Sequence, residues 1–412
     1  MLKTVAKLAC ATLFATLSVS AQDFLSRARQ IMERADVKRA FQHVESSRDK
    51  ILAEWIELTE INAPSGKERQ RAEAVKRLLD TYRLDRVYYD PAGNLVAIRK
   101  GTAGGKAVVI DAHLDTVFQE GLKIKVEIRD GKAFAPGIGD DTRNVEAILA
   151  SIRALNQANI RTRSDLIFLF TVEEETDMVG AKRFVAENRE RIGQYVALDG
   201  GYEGLTYGGI GINWYKHHFI GPGGHTRSKT PPFSATLPLA RAIQRIYALA
   251  QAGEVQIDLN IGMIGGADVV NAKASDAWFT VDLRSTDQKA IDDFERRIAD
   301  IVREEAERVG MQAKTELVGD KLPAAQIPGN LDSFTVRMSE AVHRAIGFEN
   351  VTLSPTASNN ANIALLAGIP AISTGAAPCG ESHALTEWCS IEPFYRGIKK
   401  TIMLEVALAG LD

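Results

Sequence analysis

Short apolar runs that end in a carboxylate or a histidine constrain the fold of this chain more than any other feature of its sequence. The runs at 107–112 and 166–172 are largely apolar, and a shorter one follows at 196–198. Such runs are typical of strands buried on both faces of a sheet. Helical spacing at 145–155 and 181–188 separates them. This alternation predicts an α/β fold with a mostly parallel sheet and helices on both faces.

Length and charge exclude several classes of protein. The chain has 412 residues, which at roughly 150 residues per domain suggests two or three domains. Its hydrophobic fraction of 45% and charged fraction of 25% exclude a disordered chain, a fibre and a disulfide-stapled miniprotein. Lys and Arg number 50, against 53 Asp and Glu. This mild acidity argues against a general binder of nucleic acids or anionic membranes, because both require a basic excess.

The sequence changes character near Gly208, where glycine clusters begin to interrupt strand-like segments. Helical patterns cover 233–250 and 288–308, and strand patterns cover 256–263 and 277–284. Strands combined with two long helices predict an inserted α+β domain over 210–319, with 22–209 and 320–412 forming the main domain.

The region before the first strand is predicted to be helical, because 24–61 has helical periodicity. A turn follows at 63–66. Ser65 is predicted to cap a helix that begins near Lys67, and Glu68 would complete a capping box.

Residues 1–21 have the pattern of a secretory signal peptide. Lys3 and Lys7 precede an apolar run at 8–20, and small residues end at Ala21, so cleavage is expected before Gln22. The run is shorter than the ~20 residues that span a bilayer. An uncleaved anchor and lipidation of Cys10 are the alternatives. The pattern predicts a secreted or periplasmic protein.

Cys379 and Cys389 remain after signal cleavage. In an oxidising compartment such a pair forms either a disulfide or, in the alternative, two buried free thiols. They flank a histidine, His383.

Acidic side chains and imidazoles follow several of the predicted strands. His113 and Asp115 follow 107–112, Glu173-Glu174-Glu175 follow 166–172, Asp199 follows 196–198, His383 follows a strand at 370–374, and Asp140-Asp141 precede the helix at 145–155. Ligands of open parallel sheets bind outside the carboxyl ends of the strands. We therefore expect these side chains to meet in one site.

Several carboxylates at one point repel each other unless cations neutralise them. Two imidazoles combined with carboxylates suit Zn²⁺, and also Mn²⁺ or Co²⁺. A carboxylate also bridges two metals when they lie ~3.5–4 Å apart, and a further, unligated carboxylate accepts a proton from bound water. The sequence therefore predicts two divalent metal ions, and zinc is the expected metal.

The motifs resemble, in order, those of the M20 family of co-catalytic zinc peptidases, which includes aminotripeptidase, glutamate carboxypeptidase and aminoacylase. The matching stretches are INAPSGKE (61–68), DAHLDTV (111–117), GIGDDTRN (137–144), FTVEEETDMVGA (170–181), ALDGG (197–201), GPGGHTRS (221–228), IGGADVVNAKASDAWFTVDLRS (264–285), ANIALLAGIPAIS (361–373) and GESHALTEW (380–388). The resemblance implies a zinc-exopeptidase-like catalytic domain, and an inserted lid through which two copies form a homodimer.

The resemblance also assigns roles to the acidic residues and histidines. It implies one metal bound by His113, Asp140 and Asp199 and a second bound by Asp140, Glu175 and His383, with Asp140 as the bridge. Asp115 resembles the residue that orients the His113 imidazole, and Glu174 resembles the general base. This register rests on the spacing from Glu174 to Gly180-Ala181; a slip by one residue would select Glu173 and Glu174 instead.

In the inserted domain, His225 resembles the histidine that polarises the scissile carbonyl and stabilises the oxyanion, in many members from the partner subunit. A histidine of a surface loop is the alternative. Asn271 and Arg284 resemble the positions that hold the substrate carbonyl and carboxylate. For Arg284 a structural salt bridge is the alternative.

The resemblance implies hydrolysis of an amide bond in a short peptide by a metal-bridging hydroxide, with Glu174 as the general base. Asp199 followed by Gly200-Gly201 resembles the aminotripeptidase branch and favours release of an N-terminal residue. A deacylase, amidase or carboxypeptidase acting on N-acyl amino acids or blocked peptides is the runner-up, and a catalytically dead binding protein is a further alternative. Nucleic acid is not an expected partner, and neither is a membrane after signal cleavage.

Overall fold

The computed structural model describes residues 21–253, 256–267 and 269–412. The predicted signal peptide therefore lies outside the described residues, except for Ala21, which is the first residue of helix α1. Within the described ranges, no helix combines the length and the apolar character that crossing a bilayer requires.

Twelve α-helices lie in the described ranges, and two of the longer ones fall within 210–319. They are α1 (Ala21–Glu33), α2 (Ala35–Ser46), α3 (Arg48–Glu60), α4 (Arg69–Leu79), α5 (Arg143–Gln157), α6 (Glu174–Asp177), α7 (Val179–Asn188), α8 (Thr236–Gln251), α9 (Gln288–Glu307), α10 (Phe334–Ala345), α11 (Ala361–Leu366) and α12 (Ile391–Ala409). Short helical turns lie at Ile138–Thr142, Arg189–Arg191 and Asn330–Asp332.

The strands are mostly short. They are β1 (Arg86–Tyr89), β2 (Leu95–Arg99), β3 (Ala107–His113), β4 (Glu127–Arg129), β5 (Lys132–Phe134), β6 (Leu166–Thr171), β7 (Ile192–Ala197), β8 (Leu205–Thr206), β9 (Gly211–Ile220), β10 (Gly224–His225), β11 (Asp258–Asn260), β12 (Ile264–Gly266), β13 (Ala272–Lys273), β14 (Asp276–Ser285), β15 (Gln312–Leu317), β16 (Leu353–Ser354), β17 (Ala371–Ser373), β18 (Cys379–Gly380) and β19 (Trp388–Ser390). The strand predicted over 256–263 is wrong in extent, since β11 and β12 are separated by a glycine-containing link.

The largest sheet has the strand order β1-β2-β6-β3-β7-β17-β8-β16. Its centre is parallel, because β3 pairs in parallel with β6 and β7, and β7 pairs in parallel with β17. Strands β1 and β2 add an antiparallel edge. The α/β prediction is thus confirmed, with a mixed sheet whose four central strands β6, β3, β7 and β17 are parallel and whose edge strands β8 and β16 form a further parallel pair.

Both faces of this sheet are covered, which explains the continuous apolar runs. Val108 and Ile110 of β3 pack into a core with α5 and α12, whereas Val109 packs into a core on the opposite face. Phe184 of α7 and Leu365 of α11 belong to that second core. Successive strand residues point to opposite faces, so a strand with helices on both sides needs apolar residues throughout.

A second sheet carries its own core. Strands β11, β14, β9 and β15 are neighbours in that order, and β12 also pairs with β14. Burial alternates along β14, as expected when one face is covered. Phe279 of that face packs with Phe294 and Ile298 of α9. These elements fit the predicted inserted α+β region, whose limits at 210 and 319 stay a prediction.

A small sheet beside the main one contains β18, β19, β5 and β4. A disulfide joins Cys379 of β18 to Cys389 of β19, which are directly paired residues. Of the two alternatives for this pair, the structure has the disulfide. The loop that it closes contains His383.

Candidate metal centre

The ends of three neighbouring parallel strands and two adjoining loops bring the predicted ligands together. His113 is the last residue of β3, and Glu174 and Glu175 begin α6, which is separated from the end of β6 by two residues. Asp199 follows β7, Asp140 lies in the turn before α5, and His383 lies between β18 and β19. The order of strands β6, β3 and β7 in the sheet makes the first three of these segments adjacent.

Asp140 lies between two imidazoles. Its Oδ1 atom is 3.0 Å from Nε2 of His113, and its Oδ2 atom is 3.3 Å from Nε2 of His383. The same His383 nitrogen is 3.2 Å from Oε2 of Glu175. One carboxylate that presents a separate oxygen to each of two ligand groups has the arrangement that a metal-bridging residue needs.

The donor atoms are close enough to bind metal ions. Ligand atoms of His113, Asp140 and Glu175 lie within 4.8 Å of one another, as do those of Asp140, Asp141 and Asp199. These groups contain four of the five predicted metal ligands, and His383, the fifth, joins through its contacts with Asp140 and Glu175.

Asp141 differs from Asp140 in its partners. Its Oδ2 atom accepts a hydrogen bond of 3.1 Å from the backbone amide of His113, and its Oδ1 atom accepts one from Asn144. Both oxygens are therefore engaged within the fold, whereas those of Asp140 face the two imidazoles. This arrangement supports Asp140 as the bridging candidate.

Two observations indicate that the cluster suits cations. Oε1 of Glu175 is buried and has no hydrogen-bond partner among the described residues. Burial, followed by the charge of neighbouring carboxylates, raises the pKa of Glu175 to about 7 and that of Asp199 to about 6. Divalent ions would relieve both the missing contact and the repulsion.

The pKa values of Asp140 and His383 are shifted in opposite directions. Burial opposes ionisation of Asp140, yet its hydrogen bonds with His113 and His383 hold its pKa well below the usual range. The hydrogen bond with Asp140 raises the pKa of His383 to about 9.

Glu174 lines the cleft beside Glu175 and is only 7% exposed. Burial, and then the charges of Asp199 and Glu175, raise the pKa of Glu174 well above its usual value. Glu173 contributes its backbone amide to Glu68 instead, at 3.0 Å. This placement is consistent with the register that takes Glu174 and Glu175 as the functional pair.

Asp115 joins three segments of the site. Its Oδ1 atom is 3.3 Å from Nδ1 of His113 and accepts a hydrogen bond of 3.0 Å from the amide of Glu174. Its Oδ2 atom accepts from the amide of Glu175, at 3.0 Å, and from the hydroxyl of Ser65, at 2.6 Å. Asp115 thus orients the imidazole and also fixes the start of α6.

The predicted capping box at Ser65 is wrong. Helix α4 begins at Arg69, two residues later than expected, and Oγ of Ser65 donates to Asp115. The buried carboxylate competes successfully for the hydroxyl, because hydrogen bonds to charged groups are the stronger ones. Ser65 is therefore a residue of the site, although its local sequence pattern predicts a helix cap.

Arg143 is a second residue whose part in the site the sequence did not reveal. Its guanidinium donates to the backbone oxygens of Gly200 (2.6 Å) and Ala377 (3.0 Å). Gly200 directly follows Asp199, so Arg143 fixes the loop that presents this carboxylate. No local pattern could identify these partners, which lie far apart in the chain.

A cleft of about 250 Å³ separates the acidic cluster from the second sheet. Glu174, Glu175 and His383 line one side, and Trp214, Arg284 and Lys321 belong to the other. Arg284 faces the cleft and also forms a 2.9 Å ion pair with Asp282. The structure has the salt bridge of the second alternative, and the role of Arg284 toward a substrate stays a prediction.

His225 and Asn271 are brought together at a different place. His225 lies on β10 and pairs with Ala272, and the amide of Thr226 donates to the oxygen of Asn271 at 3.1 Å. Both residues are exposed. Neither is among the described residues that line the cleft, so a single chain does not place them at the acidic cluster.

An α/β sheet whose parallel strands end in a bridged cluster of carboxylates and imidazoles, facing a cleft, defines a metallohydrolase architecture. Residues 109–403 match Peptidase family M20/M25/M40, and the chain belongs to this family.

The sequence identity to individual proteins is low. Carboxypeptidase G2 from a Pseudomonas species is 30% identical over 138 residues, which are 32% of this chain and 33% of that protein. The chain thus matches about a third of that relative. Among solved structures, a tripeptidase from Staphylococcus aureus has a TM-score of 0.78 at 22% identity, covering 87% of this chain and 98% of its own. Aminopeptidase PepT from Bacillus cereus has a TM-score of 0.76 at 20% identity, covering 88% and 99%.

Proposed function

We propose that this chain is a dinuclear metal-dependent exopeptidase that releases the N-terminal residue of short peptides. The observation that carries the proposal is Asp140, whose two oxygens face His113 and His383 within 3.3 Å. The similarity to a tripeptidase and to an aminopeptidase over nearly the whole chain favours a short peptide with a free amino end.

Zinc is the proposed metal at both positions. His113, Asp140 and Asp199 would hold one ion, and Asp140, Glu175 and His383 would hold the other. Mixed imidazole and carboxylate donors suit Zn²⁺, and Co²⁺ or Mn²⁺ after it. Bound ions of this kind supply Lewis acidity, which polarises a carbonyl and acidifies water.

The chain itself supplies the proton transfers and the positioning. Glu174 accepts a proton from the attacking water and returns it to the leaving amine, a task that its position in the cleft beside Glu175 supports. Asp115 holds the ring of His113 and the backbone of Glu174 in one arrangement. Hydrogen bonds of this second layer commonly set metal affinity and activity.

A carboxypeptidase, deacylase or amidase is the second candidate. Arg284 lines the cleft and would pair with a substrate carboxylate. Carboxypeptidase G2 is also a relative at 30% identity. These observations favour a substrate that presents a terminal carboxylate near Arg284.

We also propose that the protein is exported and forms a homodimer through its lid. The signal-peptide pattern of 1–21 and the Cys379–Cys389 disulfide support an oxidising compartment. The separation of His225 from the cleft lining supports a dimer in which that residue reaches the site of the partner.

The test compares zinc-loaded protein on Ala-Ala-Ala and on its N-acetylated form. Cleavage of the free peptide alone supports an aminopeptidase, whereas cleavage of the blocked peptide alone supports the second candidate. Glu174→Gln should keep its metal and lose turnover by about 100-fold or more. Glu173→Gln, one residue away, is the matched control and should stay active. If neither peptide is cleaved and no metal binds, a binding protein replaces the enzyme.

A further inference from the structure

Glu387 is a buried carboxylate that the proposed chemistry does not use. It lies in the loop that carries His383 and is fully shielded from solvent. Its Oε1 atom accepts hydrogen bonds from the amides of Gly139, at 2.8 Å, and Asp140, at 2.7 Å. Its Oε2 atom accepts one from the amide of Gly137, at 2.7 Å. One side chain thus holds the backbone of the turn that presents Asp140.

The same residue is fixed to the other ligand loop. Glu387 directly precedes β19, where Trp388 pairs with Phe134 of β5. The disulfide between Cys379 and Cys389 closes the loop around His383. His383 itself has a φ of 67°, a conformation that residues other than glycine rarely adopt, so this loop needs support from outside.

The two loops are also in direct steric contact. A Cβ atom added to Gly139 would lie 2.8 Å from Oε1 of Glu387 and 2.9 Å from Sγ of Cys389. Such distances leave no room for a methyl group. The Asp140 turn therefore rests against both the carboxylate of Glu387 and the disulfide.

We propose that Glu387 is a positioning residue for metal binding, which sets the distance between Asp140 and His383 by holding both loops. This inference rests on the proposed metal centre. It assigns Glu387 no contact with substrate or metal, and its effect passes through the backbone of Asp140.

The test measures Co²⁺ binding to the apoprotein by competition with a chromogenic chelator, and the visible spectrum of the Co²⁺-loaded protein. Glu387→Gln removes the charge, whereas Glu387→Asp keeps the charge and shortens the reach. We expect both variants to bind Co²⁺ at least about 10-fold more weakly and to have altered d–d absorption. Glu405→Gln removes another fully buried carboxylate and should bind Co²⁺ as the wild type does.

Wild-type Co²⁺ affinity in Glu387→Asp, or an unchanged spectrum in both variants, would overturn the inference while leaving the metal centre intact. Failure of the wild type to bind Co²⁺ would overturn the proposed function and this inference with it. Should the Glu387 variants fail to fold, Gly139→Ala decides, because it displaces the same contact without changing charge. It should weaken Co²⁺ binding equally, whereas Gly262→Ala, whose Cβ would come no closer than 3.3 Å to any neighbour (Nδ2 of Asn260), should not.

Discussion

Asp115 shows how much of the site depends on a single residue that is not assigned as a ligand. It contacts the ring of His113, the amides of Glu174 and Glu175, and the hydroxyl of Ser65. The resemblance to the family motif predicts that Asp115 orients the ring of His113. Its contacts with the start of α6 depend on the pairing of β3 with β6, which the local pattern does not contain.

Ser65→Ala removes one of these hydrogen bonds without changing the charge of the site. We expect a loss of about 10-fold in turnover, because Asp115 loses a charge-assisted partner while keeping its two amide donors. Steady-state kinetics of the zinc-loaded variant would measure it. Ser46→Ala, an exposed residue of helix α2, is the control and should behave as the wild type. Equal rates for the two variants would contradict the role of Ser65.

Among the elements, periodicity predicted the main helices and the buried strands well. The helix expected over 145–155 is α5 (Arg143–Gln157), and the strand expected over 166–172 is β6 (Leu166–Thr171). Long amphipathic or fully buried segments determine their structure locally. The edge strands and the small sheet around the disulfide depend on distant partners, so their short sequences carried little signal.

Helices α5 and α12 pack together across a buried carboxylate. Glu405 of α12 accepts a hydrogen bond from Ser151 of α5, and burial raises its pKa to about 8 from an ordinary 4.5. The unfolded chain ionises this group first, so it lowers stability as the pH rises from about 4.5 to 8. The free energy of unfolding of Glu405→Gln, relative to that of the wild type, should therefore be higher at pH 8 than at pH 5. The difference is about 1.4 kcal/mol for each unit of pKa shift removed.

Urea unfolding at the two pH values would measure that difference. Glu392→Gln, in the exposed first turn of the same helix, is the control and should keep the wild-type pH dependence. The prediction fails if Glu405→Gln keeps it as well.

The disulfide should stabilise the hairpin formed by β18 and β19. Reduction of the protein is expected to lower its free energy of unfolding by about 2–3 kcal/mol, because the unfolded chain regains the freedom of the closed loop. Chemical denaturation with and without reductant would measure this change. A Cys379→Ser, Cys389→Ser double variant should start at the lower stability and show no response to reductant; a response there would point to a different origin.

For the whole molecule, the cleft is the feature that sequence reasoning could not supply. Arg284 and Trp214 belong to the second sheet, yet they line the same cleft as Glu174 and His383 of the acidic cluster. Only the packing of the two sheets brings them together, and no spacing along the chain encodes it. The motif order placed His225 near the chemistry, whereas the structure of one chain leaves it exposed on β10.

A homodimer in which His225 serves the partner's site makes a quantitative prediction. His225→Ala and Glu174→Gln should each be inactive alone, because every site then lacks one group. Random pairing of equal amounts makes half of the dimers mixed, and each mixed dimer has one complete site, so about a quarter of wild-type activity should return. A mixture of Glu174→Gln with His113→Ala is the control and should stay inactive, since one chain supplies both groups to its own site. Full activity of His225→Ala alone, or no recovery on mixing, would show that His225 does not act across the dimer.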